Sequence, residues 1–265
     1  MSELNERSQI NASGFPFQIR VEHEIQSTLS KHKWRISATE HKWRNRETKE
    51  EGFIDIILEK RISSWSSHYL VIECKRMKLG GCIFLNRPED HSKPNAVLLS
   101  FAKSHSGEAS PGWNKYEPDP SSLIACYCAV PGQSDKQTPM LERICDSLLD
   151  SVESLADELY SKTIIPGSNA PGISSLFIPT VVVNTELKSC FINPQDISLS
   201  EGELKDDQGL IKAVPYVRFQ KSFCTRYKSP ANGIDLTALN AANQRTVFIV
   251  HAASLINFLV AWDID

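Results

Sequence analysis

The chain has 265 residues, and 29 basic against 32 acidic residues leave a formal charge of −3. With 41% hydrophobic and 23% charged residues it has ordinary globular usage, which excludes intrinsic disorder and collagen-like or mucin-like architecture. A slightly acidic balance exerts no global pull on nucleic acid, so any such binding must come from a local patch. Seven cysteines follow a polar stretch, Met1 to Ser13, that lacks the apolar core of a secretory leader. That combination predicts a flexible start over residues 1–13, a reducing, cytoplasmic setting and free thiols. No run approaches the ~20 apolar residues of a membrane span. The nearest, Ala252 to Trp262, contains Asn257 and suits a core helix.

In chain order, Phe15 to Ser30 reads as a helix, because Phe17, Val21, Ile25 and Leu29 form one apolar stripe and Pro16 sits in the first turn. Trp34 to Ala38 is a short strand, followed by a charged connection through Glu51. Gly52 to Leu58 and Tyr69 to Cys74 are strands rich in β-branched residues, and Ser63, Ser64, Ser66 and Ser67 turn them into a hairpin. Residues 80–135, punctuated by Pro88, Pro94, Pro111, Pro118, Pro120 and Pro131, read as an irregular insertion or lid with one strand at Leu123 to Val130. Pro139 opens a long helix whose apolar period runs from Leu141 to Leu159.

A Pro/Gly loop at Ile165 to Gly172 ends that helix. Leu176 to Val183 is then the best candidate for a fully buried strand, with Leu187 to Ile192 its expected neighbour. Beyond an acidic turn, Ser200 to Gly209, lie strand-like Ala213 to Phe219, an irregular stretch, and Thr246 to Val250 leading into the last helix. Alternating helices and strands predict a single α/β domain around one mixed sheet, with residues 193–265 extending its core.

Chemistry concentrates in the hairpin. Side chains two apart on a strand share a face, so Glu73 and Lys75 project together. A turn about Ser64 sets Asp55 directly opposite Glu73, with Cβ atoms about 5 Å apart. Two carboxylates this close repel unless one takes up a proton or a cation lies between them. A hard divalent ion with oxygen ligands, Mg²⁺ or Mn²⁺, resolves the repulsion and can polarise a phosphoryl oxygen. Lys75 can hold a water and stabilise charge developing at phosphorus. Arg76 can grip a neighbouring phosphate.

Asp55, followed 18 positions later by Glu73-Cys74-Lys75, resembles the D…(D/E)xK core of the PD-(D/E)XK nuclease superfamily, with Ile54 where the motif has Pro. The order of helix, strand, Asp strand, ExK strand, long helix and buried strand over residues 15–192 fits the same family. The resemblance implies a restriction-endonuclease-like three-layer core with a mixed central sheet flanked by helices. It also implies metal binding by Asp55 and Glu73, a catalytic Lys75, and a helix-borne acid. Glu22 is the first choice for that acid and Glu24 the fallback. The implied activity is hydrolysis of phosphodiester bonds, with DNA the expected polymer; the alternative is an inactive domain of the same fold that binds DNA or a protein. Cutting both strands of a duplex would be served by a homodimer, although no residue specifies one.

A second feature is the tetrapeptide His32-Lys33-Trp34-Arg35, repeated at His41-Lys42-Trp43-Arg44. Lys31 to Arg46 holds six cations and one acid, Glu40. Cations that touch phosphates and aromatics that stack on bases are the ingredients of a nucleic-acid surface. Trp34 falls in an apolar setting, so Lys42, Trp43 and Arg44 are the expected contacts. Other motifs fail: His23-Glu24 lacks a second His four residues on, and Cys126-x-Cys128 is too short for a zinc knuckle. Phosphate-loop and serine-hydrolase signatures do not occur.

Overall fold

A computed structural model describes residues 6–45, 47–77, 80–87, 95–104, 107–119, 122–132, 138–163, 173–205, 210–229 and 235–264. Residues 1–5, Arg46, the expected loop at 165–172 and the end of the acidic turn lie outside them.

The chain opens with helices α1 (Glu6–Ser13), α2 (Phe15–Ser27) and α3 (Leu29–His32), followed by strands β1 (Arg35–Arg44), β2 (Glu51–Ser63) and β3 (Ser66–Lys75). Next come β4 (Cys82–Asn86), β5 (Ala96–Ser104), β6 (Gly107–Tyr116), β7 (Pro118–Asp119), β8 (Ile124–Ala125) and β9 (Tyr127–Ala129). The long helix α4 (Met140–Thr163) leads to β10 (Ile173–Val183), β11 (Leu187–Phe191), β12 (Leu210–Val214) and β13 (Tyr216–Ser222). Helix α5 (Leu236–Ala242), β14 (Gln244–His251), α6 (Leu255–Ala261) and β15 (Asp263–Ile264) complete it.

The principal sheet runs β1-β2-β3-β10-β14-β13-β8, with β5 and β6 attached beside β10. It is mixed: β1, β2 and β3 are antiparallel, whereas β10 lies parallel to both β3 and β14. The fold is therefore α/β, as expected. Strand β10 is buried from Ser175 onward, because both of its faces are covered. On one face Ile57, Val71, Val181 and Ile249 meet Leu141, Leu148, Val152 and Leu155 of α4. On the other, Ile56, Ile72, Ile178 and Phe248 meet Val21 and Ile25 of α2 and Phe258 and Leu259 of α6. Each fully buried side chain of this size contributes about 1.5–3 kcal/mol.

Several expectations are corrected. Residues 6–13 form an exposed helix rather than a flexible start. The insertion is not irregular: β5 and β6 form a hairpin joined to β10, and Leu98, Leu99 and Trp113 are fully buried. The expected strand at 123–130 is two short ones in different sheets, broken at Cys126. Strand β11 pairs not with β10 but with β4 and β12, in a second sheet of four strands. Pro215 separates β12 from β13 where one strand was expected, since proline cannot donate to a ladder. Among the described residues no helix is long and apolar enough to cross a membrane. None of the seven cysteines, all among the described residues, is in a disulfide.

Candidate functional site

The hairpin of β2 and β3 has the register that a turn about Ser64 demands. Ile56 pairs with Ile72 and the ladder continues to Arg61 and Ser67, with one irregularity just before the turn. One step beyond Ile56 and Ile72 the ladder stops: the Asp55 side chain accepts the Cys74 N–H, and the carboxylates of Asp55 and Glu73 act on one another. The same row extends into β1, because Thr39 pairs with Ile56 and His41 with Ile54, which leaves Glu40 across from Asp55. Three acids on three neighbouring strands thus share one row.

At this row the sheet changes phase. Glu40 has φ of 49°, a left-handed conformation that non-glycine residues seldom adopt. Ala38 and Ile57 pack toward α4, and so do Trp43 and Ile54, although strict alternation would put the latter two on the opposite face. The kink turns Trp43 inward, where it is only 7% exposed. A Cβ on its cross-strand partner Gly52 would stand 3.0 Å from the indole Nε1. Trp43 is therefore a core residue, which corrects its assignment as a nucleic-acid contact. Its neighbours Lys42 and Arg44 are exposed, and Lys42 is paired with Glu51 at 3.3 Å.

Helix α2 supplies the other side of the site. Gln18 is buried, and its Nε2 donates to Glu22 Oε1 at 3.0 Å, to Glu40 Oε1 at 2.7 Å and to the Asp55 carbonyl at 3.3 Å. One amide with two hydrogens serves three acceptors, and so ties helix, β1 and β2 together. Glu24, by contrast, pairs with Arg20 on the solvent side of the helix. Glu22 is the helix acid that the fold brings to the row. Gln18 and Glu40 were not singled out from the sequence. The spacing of Gln18 four residues before Glu22 was the available signal.

The electrostatics are those of a crowded carboxylate cluster. Asp55 accepts the Cys74 backbone N–H on Oδ2 at 2.6 Å, yet burial pushes its carboxyl up to about 6, with Glu40 and Glu22 adding to the effect. Burial, and then the Asp55 charge, push Glu73 up to about 7. The Lys75 ammonium acts on both acids in the opposite sense. Cys74, half-buried beside them, has its thiol pushed up by desolvation and then by the carboxylates around it. Arg76 follows β3 and is half-buried.

Among the described residues no group of three His, Cys, Asp or Glu side chains has closed into an ion-ligating arrangement. The donor chemistry nonetheless fits a hard divalent ion. The groups are all carboxylate oxygens, two of them hold protons more tightly than usual, and a cation relieves that repulsion as protonation does. Comparison with protein-family models, curated proteins and solved structures returned no match.

Proposed function

We propose that this protein is a metal-dependent nuclease of the PD-(D/E)XK type, with a restriction-endonuclease-like core, that hydrolyses phosphodiester bonds in DNA. The observation that carries the reading is the gathering of Asp55, Glu73 and Glu40 at one row of the sheet, with Lys75 two residues along β3 acting on Asp55 and Glu73, and with Glu22 and Glu40 tied to the row by Gln18. A structural ion pair between exposed strands would not gather four acids around one amine, because like charges so placed destabilise the fold.

Asp55 and Glu73, with Glu22 as the helix acid, would hold Mg²⁺ or Mn²⁺. When bound, the ion supplies charge to a phosphoryl oxygen and acidity to a water. The Cys74 N–H holds Asp55 Oδ2 in place, leaving the carboxylate little rotational freedom. Lys75, two residues from Glu73 on the same face, holds the water with its ammonium and offsets the negative charge that grows at phosphorus. Gln18 fixes the mutual positions of Glu22 and Glu40.

The test is cleavage of plasmid and linear DNA with Mg²⁺ or Mn²⁺ and in EDTA. The parent should cut only with metal, and Asp55→Ala and Lys75→Ala should lose at least a hundredfold in rate while their circular dichroism is unchanged. Variants that cut as fast as the parent would overturn the assignment. DNA binding without cleavage by the parent would assign the chain to the non-enzymatic alternative.

A further inference from the structure

A cleft of about 520 Å³ opens where α3 meets the start of β1 and the end of β2, lined by Leu29, Lys33, Arg35, Glu59, Lys60 and Arg61. Four of these six residues are cations and one is an acid. Lys33, Arg35 and Arg61 are exposed. Among the described residues none of the four bases forms an ion pair with a carboxylate. Even Arg35 and Glu59, partners in the β1–β2 ladder, are not joined; Glu59 accepts the Ser67 hydroxyl at 2.8 Å.

Lys60 is held from beneath: its Nζ donates to the Trp262 carbonyl at 3.1 Å and lies 5.9 Å from the Trp34 ring centre. Lys33 ends α3 with φ of 63°, a left-handed turn that carries the chain round the rim of the cleft. Four cations gathered in a concavity with one carboxylate, Glu59, that pairs with none of them repel one another, and an anion relieves that repulsion. The Lys42 site differs, because Glu51 already neutralises its charge.

We propose that this cleft holds a backbone phosphate of the nucleic acid whose scissile bond lies at the carboxylate cluster; the identity of the polymer rests on the nuclease reading above. Strand β2 joins the two places. From Asp55 to Glu59 and Arg61 it advances roughly 13–20 Å at about 3.3 Å per residue. Successive phosphates of a duplex strand advance about 3.4 Å along the axis, so the contact falls roughly four to six nucleotides from the cut. Trp65, 46% exposed at the tip of the same hairpin, adds an aromatic face that a nucleobase can use and a free phosphate cannot. The basic surface is thereby assigned to the first copy of the repeated tetrapeptide and to the end of β2, rather than to Lys42 and Arg44.

The test reads binding in EDTA, where no cleavage occurs, by fluorescence anisotropy of a labelled duplex of about 30 base pairs titrated with the full chain over a range of salt. The double variant R35E/R61E should bind at least tenfold more weakly and flatten the slope of log affinity against log salt by about 2, while K42E/R44E should change it by less than about 1. R35K/R61K should restore the parent's binding, which separates charge from folding. A parental slope for R35E/R61E, or a larger loss for K42E/R44E, would overturn the proposal. So would loss in R35E/R61E of inorganic phosphate binding, read by phosphorus NMR, if the parent does not bind duplex; the cleft would then serve a small phosphorylated ligand. The titration in EDTA needs no metal, so failure of the nuclease reading shows in cleavage and failure of the cleft shows in binding.

Discussion

Replacing Glu73 by Gln should make the metal-free protein more stable at pH 8. Burial and the Asp55 carboxylate push Glu73 up to about 7 from an ordinary 4.5. Below about pH 4.5 the group is protonated in the folded and unfolded chain alike, and it contributes no difference. Between there and about pH 7 the unfolded chain releases the proton while the fold retains it, so stability falls as pH rises, and above about pH 7 the loss is complete. At about 1.4 kcal/mol per tenfold change in proton affinity, the ceiling is about 3 kcal/mol. Partial solvent access and coupling to Asp55 reduce the expected gain to about 2 kcal/mol. For a chain of this length that corresponds to about 4 °C in Tm. Thermal melts followed by circular dichroism in EDTA should show Glu73→Gln and the parent converging near pH 4.5 and separating by that amount at pH 8. Added Mg²⁺ should raise the parent and narrow the gap, by binding only the folded state. A variant less stable than the parent at pH 8, or an offset independent of pH, would refute the picture of repelling acids.

Trp43→Ala should lower stability by about 3–5 kcal/mol in urea unfolding, as truncation of a buried indole does; a change within about 0.5 kcal/mol would place Trp43 at the surface instead. In the native protein a thiol reagent should modify the exposed Cys224 rapidly and leave Cys145 untouched, since Cys145 is fully buried and its thiol is pushed far up by that burial. Peptide mapping after a short pulse checks this, and rapid labelling of Cys145 would contradict its place on the buried face of α4.

The register of the hairpin was legible because two local signals agreed. A serine-rich turn is a weak backbone constraint, but β-branched runs on either side leave few ways to pair, and each slip of one residue exchanges the faces. Helix α2 was legible from its apolar stripe, although the fold ends it at Ser27 and restarts it as α3. The acid Glu40 was overlooked because it sits in a basic run with no apolar alternation to suggest a strand. That run pairs with β2 only because β2 is long enough to template it, which is a tertiary fact. Trp43 was misjudged for a related reason: its direction depends on a positive φ three residues earlier. The segment 80–135 looked irregular because prolines obscure periodicity, yet Pro111 and Pro118 both lie within strands.

What the amino-acid order determined by itself is the local grammar: which runs extend, which coil, where the hairpin turns, and hence that an acid of β2 must face an acid of β3. These follow from contacts between residues fewer than about twenty positions apart, whose geometry the backbone dictates. Only the tertiary structure decided that Gln18 binds Glu22 and Glu40 at once, that Trp43 turns inward, and that β11 joins a second sheet. Those outcomes depend on which apolar faces find each other across long stretches of chain, and burial is non-directional, so the pattern of hydrophobic residues alone admits several partners.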